Sequence, residues 1–94
     1  MAERADPALT AAMTVLAANK QARLAGALAT VGRMETSPGA SDSVAARVSL
    51  WLDVRADGDE AVDRLVTAVA RQARDRAERD GTRVDVGLVE RGPL

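Results

Sequence analysis

The residues best suited to chemistry lie in the segment Leu52-Asp53-Val54-Arg55, where a carboxylate and a guanidinium occupy alternate positions. Alternate positions of a strand point to the same face, so we expect Asp53 and Arg55 to lie side by side at a strand end. A guanidinium can hold a carboxylate through two parallel hydrogen bonds. The pair is therefore either a set of ordinary strand-end charges or part of a binding site.

The composition restricts what chemistry is available. The 94 residues include no His, no Cys and one aromatic residue, Trp51. The formal net charge of the chain is −1. Without His the usual general base is missing, and a zinc site would need carboxylates alone, which is uncommon. We expect no catalytic residue, metal site or cofactor in this chain. The charge balance predicts no nucleic-acid surface, and the lack of cysteine fits a reducing compartment.

The length predicts a single domain over residues 1–94 with one modest core. That core would consist mostly of Ala, Val and Leu, which bury little area per residue, so association with another chain would add needed stability. No apolar run approaches the roughly 20 residues of a membrane span. Residues 1–6 do not have the pattern of a signal peptide. We expect a cytoplasmic protein with no membrane partner.

A first helix is predicted from its end signals. Asp6 is a suitable N-cap, Pro7 suits the first helical position, and Gly26 suits the C-terminal cap. Helical spacing predicts one buried apolar face, formed by Leu9, Met13, Leu16 and Leu24. Thr10 and Asn19 fall outside this face.

Two strands are predicted next. Residues Ala27–Thr36 form the first, in which Gly32 weakens the strand or marks a bulge. Val44–Arg55 alternates so regularly that only one face should be covered. The residues expected on the covered face are Val44, Ala46, Val48, Leu50, Leu52 and Val54. Trp51 lies on the more open face, and because Trp is enriched where chains meet, we expect it to be an interface residue.

A second helix and a last strand complete the pattern. Asp57 and Glu60 are spaced as a capping box, and Gly81 ends the helix. Its buried residues are expected to be Val62, Leu65, Val66, Val69, Ala73 and Ala77. Its arginines are expected to form ion pairs four residues apart, Arg71–Asp75, Arg74–Glu78 and Arg76–Asp80, rather than bind nucleic acid. The last strand covers residues 82–90.

The order helix, strand, strand, helix, strand predicts an α+β fold, with two helices packed on one face of a small antiparallel sheet. It is a ferredoxin-like order (αββαβ) that lacks its first strand. Without that strand, backbone donors and acceptors would stay open. Either the last strand pairs directly with Val44–Arg55, or a second chain supplies the pairing.

Three segments together resemble the small domain of the zinc-dependent aminoacylase/carboxypeptidase amidohydrolases. They are Arg4-Ala5-Asp6, VLAANKQARLAGALATVGR (residues 15–33) and WLDVR (residues 51–55). The similarity runs from about Arg4 to about Leu88 and is strongest to allantoate amidohydrolase and N-carbamoyl-L-amino-acid hydrolase. In that family the small domain serves as lid and dimerisation module, and a separate catalytic domain binds two metal ions, zinc or manganese.

The resemblance implies a role for two residues. Arg55 matches the family arginine that reaches the partner subunit's active site and binds the substrate carboxylate. Asp42 stands where the family has a substrate-binding Asn, and Ala45 stands where it has Pro. An anionic Asp42 would repel a substrate carboxylate and pair with Arg55 instead.

The leading hypothesis is a dimerisation and lid module of an allantoate or N-carbamoyl-amino-acid amidohydrolase. It would form a homodimer through its strand edge and helix, and it would not hydrolyse by itself. One alternative is a fragment of an active metal-dependent hydrolase of linear amides, which cleaves C–N bonds other than peptide bonds. Another is a small regulatory domain that binds a carboxylate through Arg55, Arg33 or Arg47.

Overall fold

The computed structural model describes residues 6–39 and 46–94, which form two helices and three strands. In chain order these are α1 (Pro7–Ala25), β1 (Leu28–Ser37), β2 (Arg47–Arg55), α2 (Asp59–Asp80) and β3 (Arg83–Gly92). The predicted α+β class and the αββαβ order are confirmed.

The caps of α1 follow the sequence signals. The Asp6 side chain accepts hydrogen bonds from the N–H groups of Ala8 and Leu9, at 3.1 and 3.2 Å. Gly26 adopts the left-handed conformation, with φ of 66°, and ends the helix. Glycine takes this conformation without steric cost, so the helix stops where the sequence predicts.

The face that α1 buries differs from the prediction. Its buried residues are Thr10, Ala11, Thr14, Ala18 and Ala22. Leu9, Leu16 and Leu24 are 40%, 60% and 73% exposed, and Met13 is half-buried, so the predicted buried face of Leu9, Met13, Leu16 and Leu24 is wrong. The physical reason is that small side chains let α1 approach α2 and the sheet closely, and that Thr10 hydrogen-bonds inside the fold.

The sheet order is β1-β2-β3, with β2 in the centre. β1 pairs with β2 in antiparallel register, and the register shifts between Val31 and Arg33, so the bulge predicted at Gly32 is confirmed. The predicted alternation of β2 is also confirmed, since Val48, Leu50, Leu52 and Val54 are fully buried. The predicted first residues of this strand, Val44 and Ala45, lie outside the described residues.

β3 pairs directly with β2, and the two strands are parallel. The sheet is therefore mixed, not antiparallel throughout as predicted. Because α2 connects β2 to β3, it provides the long crossover that a parallel pair requires. Of the two solutions for the missing first strand, direct pairing of the last strand with the central one is observed.

The predicted capping box of α2 is wrong. The N-cap is Gly58, with φ of 98°, and within the described residues no side chain caps this helix. Asp59 and Glu60 lie in the first turn, where the helix dipole favours negative charge. Gly81 ends the helix with φ of 72°, as predicted.

The predicted buried face of α2 is correct. Val62, Leu65, Val69, Ala73 and Ala77 are buried, and Val66 is half-buried. The polar face agrees less well with the sequence. Arg76 pairs with Asp80 at 3.1 Å, but in the described part of the chain the expected Arg71–Asp75 and Arg74–Glu78 pairs do not form. Of the three ion pairs that the spacing predicted on α2, one is therefore present.

Candidate functional site

Asp53 and Arg55 lie together at the end of β2, on the sheet face that carries no helix. Arg55 Nε lies 3.1 Å from Asp53 Oδ1, and Arg55 Nη2 donates to Asp53 Oδ2 at 3.4 Å. Glu90 Oε2 of β3 is 3.6 Å from Arg55 Nη2. One guanidinium thus faces two carboxylates of its own chain.

One carboxylate oxygen of Asp53 lacks a hydrogen-bond donor among the described residues. Its Oδ1 atom is buried but accepts no hydrogen bond among the described residues, because the short contact to Arg55 Nε has poor hydrogen-bond geometry. The contact is therefore an ion pair without a hydrogen bond. Both side chains are 35% exposed, so solvent partly screens the attraction.

The other two arginines considered as carboxylate ligands are also paired. Arg33 forms an ion pair with Glu35 on β1. Arg47 Nη1 lies 2.7 Å from Asp85 Oδ2, which joins β2 to β3. The helix-free sheet face therefore balances positive with negative charge instead of concentrating cations.

Trp51 occupies the middle of this face. The Arg33 guanidinium lies over the Trp51 ring in cation–π geometry, and the distance from Arg33 Cζ to the ring centroid is 4.9 Å. On the other side the ring lies over Gly87, where a Cβ would come within 3.2 Å of the indole Cδ1. Trp51 is half-buried on the central strand, so contact with a second chain at this residue stays a prediction.

Asp42 and Ala45 lie outside the described residues. The predicted pairing of Asp42 with Arg55 is therefore untested. The carboxylates that do contact Arg55 in the described part of the chain are Asp53 and Glu90.

The outer face of α1 exposes three large apolar side chains in the described part of the chain. We call it the leucine face, and it consists of Leu9, Leu16 and Leu24. α1 packs on β1 and on α2, while α2 packs on β3. The leucine face lies on the side of α1 opposite its buried residues and is exposed. Among the described residues no strand pairs with the outer edge of β1.

Sequence reasoning placed these leucines in the core and so missed them as surface residues. A signal was available, because Thr10, Ala11, Thr14, Ala18 and Ala22 recur at helical spacing on the opposite side of the same helix. A helix with two such faces can bury either one.

A buried polar cluster fixes one end of α1. Thr10 Oγ1 donates to Asp80 Oδ2 at 2.8 Å and lies 2.7 Å from Thr82 Oγ1. Arg76 Nε also donates to Asp80 Oδ2, at 3.1 Å. The residues come from α1, α2 and the link between α2 and β3, so no local pattern in the sequence indicates them.

Two further observations concern metals and membranes. In residues 6–39 and 46–94, no three His, Cys, Asp or Glu side chains are grouped so that they could hold a metal ion. No helix of the described chain has the length and apolarity needed to cross a membrane.

No protein-family model, curated protein or solved structure matches the chain. The resemblance to amidohydrolase small domains thus stays a prediction from the sequence.

Proposed function

We propose that this chain is an association module, the dimerisation and lid domain of a metal-dependent amidohydrolase that acts on allantoate or an N-carbamoyl amino acid. The observation that carries the proposal is the exposed leucine face of α1, a helix that packs on β1. Among the described residues, β1 has no strand paired with its outer edge. The chain would form a homodimer and would leave catalysis to a separate domain.

The exposed leucines supply a driving force for association. Leu16 and Leu24 are 60% and 73% exposed on a helix that is folded and capped at both ends. Full burial of one leucine side chain contributes roughly 1.5–3 kcal/mol. Because a two-fold dimer buries the same residues on both subunits, each leucine counts twice.

The spacing of the leucines suits two-fold symmetry. Leu9 lies about 10.5 Å before Leu16 along the helix axis, and Leu24 lies about 12 Å after it. When a second α1 runs antiparallel and crosses at Leu16, Leu9 of one copy meets Leu24 of the other. The leucine face therefore complements itself.

The edge of β1 has to join this contact. A stable dimer buries about 800 Å² per subunit, and one face of a 19-residue helix, about 28 Å long and 10 Å wide, offers less. β1 has ten residues and an open outer edge in the described structure, so it can add backbone hydrogen bonds to a second β1.

The amidohydrolase part of the proposal is supported by the sequence resemblance and by the position of Arg55. This residue lies at the end of the central strand on the helix-free face, where a separate catalytic domain could reach it. A substrate carboxylate would replace Glu90, whose contact is the longer one at 3.6 Å. Zinc or manganese would be held by the catalytic domain of the parent enzyme.

Carboxylate binding by the isolated chain is less favoured. Arg55, Arg33 and Arg47 all have carboxylate partners from their own chain. A free ligand would have to displace one of these partners and gains little at a surface site that solvent screens.

The deciding experiment measures solution mass by light scattering on a sizing column over a concentration series. We expect a dimer for the native chain and a monomer for Leu16→Glu. Val89→Glu is the matched control, because Val89 is 62% exposed on the opposite strand, β3, and this variant should stay dimeric. A native chain that is monomeric at all concentrations would overturn the proposal.

A further inference from the structure

α1 has two faces, either of which could pack against the core. The inner face is built from alanines and threonines, of which Ala18 and Ala22 are 2% and 3% exposed. The leucine face is larger and more apolar, so hydrophobic burial by itself would favour turning it inward. The close packing of the small side chains opposes this preference, and a polar interaction that exists in the observed orientation alone would oppose it further.

The buried polar cluster of Thr10, Asp80 and Thr82 is an interaction of this kind. Thr10 is fully buried, Thr82 is 8% exposed, and the Asp80 side chain is 8% exposed. Thr10 has a single hydroxyl proton, and its donation to Asp80 leaves the Thr82 hydroxyl as the donor to Thr10. With Arg76 as second donor to Asp80, this buried carboxylate has two hydrogen-bond donors.

Only one orientation of α1 completes this network. A half-turn of α1 about its axis would carry Thr10 away from α2 and would leave Asp80 with one donor fewer. A buried charge that loses a hydrogen bond is costly, whereas an apolar replacement of the whole group is often tolerated. Thr14 differs, because its hydroxyl bonds to the Thr10 carbonyl of its own helix at 2.8 Å and is satisfied in any orientation.

We propose that Thr10, Asp80 and Thr82 are positioning residues that select the orientation of α1 and thereby keep the leucine face outward. The buried polar network determines which of the two faces of α1 packs against the core. The availability of the leucine face to a second copy rests on the proposed dimer, but the orientation of α1 does not.

The chain contains no cysteine, so a single introduced thiol reports the exposure of its own position. Leu16→Cys should react quickly with a water-soluble maleimide, and Ala18→Cys should be protected, because these positions are 60% and 2% exposed. The ratio of the two labelling rates measures the orientation of α1. Labelling is done at a concentration where light scattering shows monomer.

Each thiol variant is then combined with Thr10→Val, which keeps the side-chain shape but removes the hydroxyl. We expect the labelling ratio to fall by about tenfold or more as the second orientation becomes populated. Thr14→Val is the matched control at an equally buried position, and it should keep the native ratio. Thr10→Ser restores a hydroxyl and should restore the ratio.

Two results would overturn the inference. One is a cooperatively folded Thr10→Val protein with the native ratio, and the other is an equal loss of the ratio in Thr14→Val. A triple variant, Thr10→Val with Asp80→Leu and Thr82→Val, removes the polar network together with its buried carboxylate, and its ratio should also fall. A chain that never dimerises but keeps the native labelling contrast would contradict the proposed function alone.

Discussion

At the end of β2, Arg55 neutralises Asp53, and its removal would leave a partly buried carboxylate without its cation. We expect Arg55→Ala to lower the free energy of unfolding by about 1 kcal/mol, since the pair is one-third exposed and partly screened. Urea unfolding followed by Trp51 fluorescence measures this change. Trp51 is the single tryptophan of the chain, so the signal has one source.

The matched control is Arg64→Ala. Arg64 and Glu60 form an ion pair on α2, with side chains 70% and 89% exposed. Exposed pairs of this kind contribute about 0.5 kcal/mol or less. Equal losses in the two variants would contradict the view that burial distinguishes the Asp53–Arg55 pair.

Among the elements, the helix starts offer a direct contrast. Asp6 caps α1 through two backbone N–H groups, so Asp6→Ala should cost about 1 kcal/mol of stability. Asp57→Ala should cost less than about 0.5 kcal/mol, because the N-cap of α2 is Gly58 and no side-chain hydrogen bond caps this helix start. Thermal unfolding followed by circular dichroism compares both variants. A larger loss of stability in Asp57→Ala than in Asp6→Ala would support the capping box that the sequence predicted.

The elements also show what the sequence can and cannot predict. The ends of α1 and α2 at Gly26 and Gly81, and the alternation of β2, depend on local signals and were predictable. The orientation of α1 depends on Thr10 and Thr82, which are 72 residues apart. The parallel pairing of β2 with β3 requires α2 to bring β3 directly beside β2, so it too depends on contacts between segments that are distant in the sequence.

The candidate site was also predictable only as far as it depends on local signals. The neighbouring positions of Asp53 and Arg55 follow from alternation along one strand, and the contact between them was expected. The contribution of Glu90 was not expected, because it requires β3 to lie beside β2. The leucine face was missed because α1 has two apolar faces and periodicity cannot choose between them.

For the molecule as a whole, dimer formation should couple stability to concentration. A ligand that binds the folded state raises the apparent stability, and in a homodimer each subunit is the ligand of the other. We expect the thermal midpoint to rise with protein concentration for the native chain and to stay constant for Leu16→Glu. A midpoint that is independent of concentration in both proteins would contradict association through the leucine face.

Because the proposed function leaves catalysis to a separate domain, we expect the chain by itself to lack hydrolase activity. The chain has no His, the residue that most often serves as general base. We expect release of product from an N-carbamoyl amino acid, with zinc or manganese added, to equal that of the metal alone. Activity above this level that disappears in Arg55→Ala would assign catalysis to the chain itself.

The contact between Thr10 and Thr82 has a consequence for the order of folding. β2, α2 and β3 follow one another without interruption from Arg47 to Gly92, whereas Thr10 meets a residue 72 positions away. Closing the longer loop costs more chain entropy, and contacts between distant residues slow folding. We therefore expect β2, α2 and β3 to assemble first and α1 to dock last. Until α1 docks, Asp80 still has access to water, so its carboxylate loses hydration only when the Thr10 hydroxyl arrives to replace it.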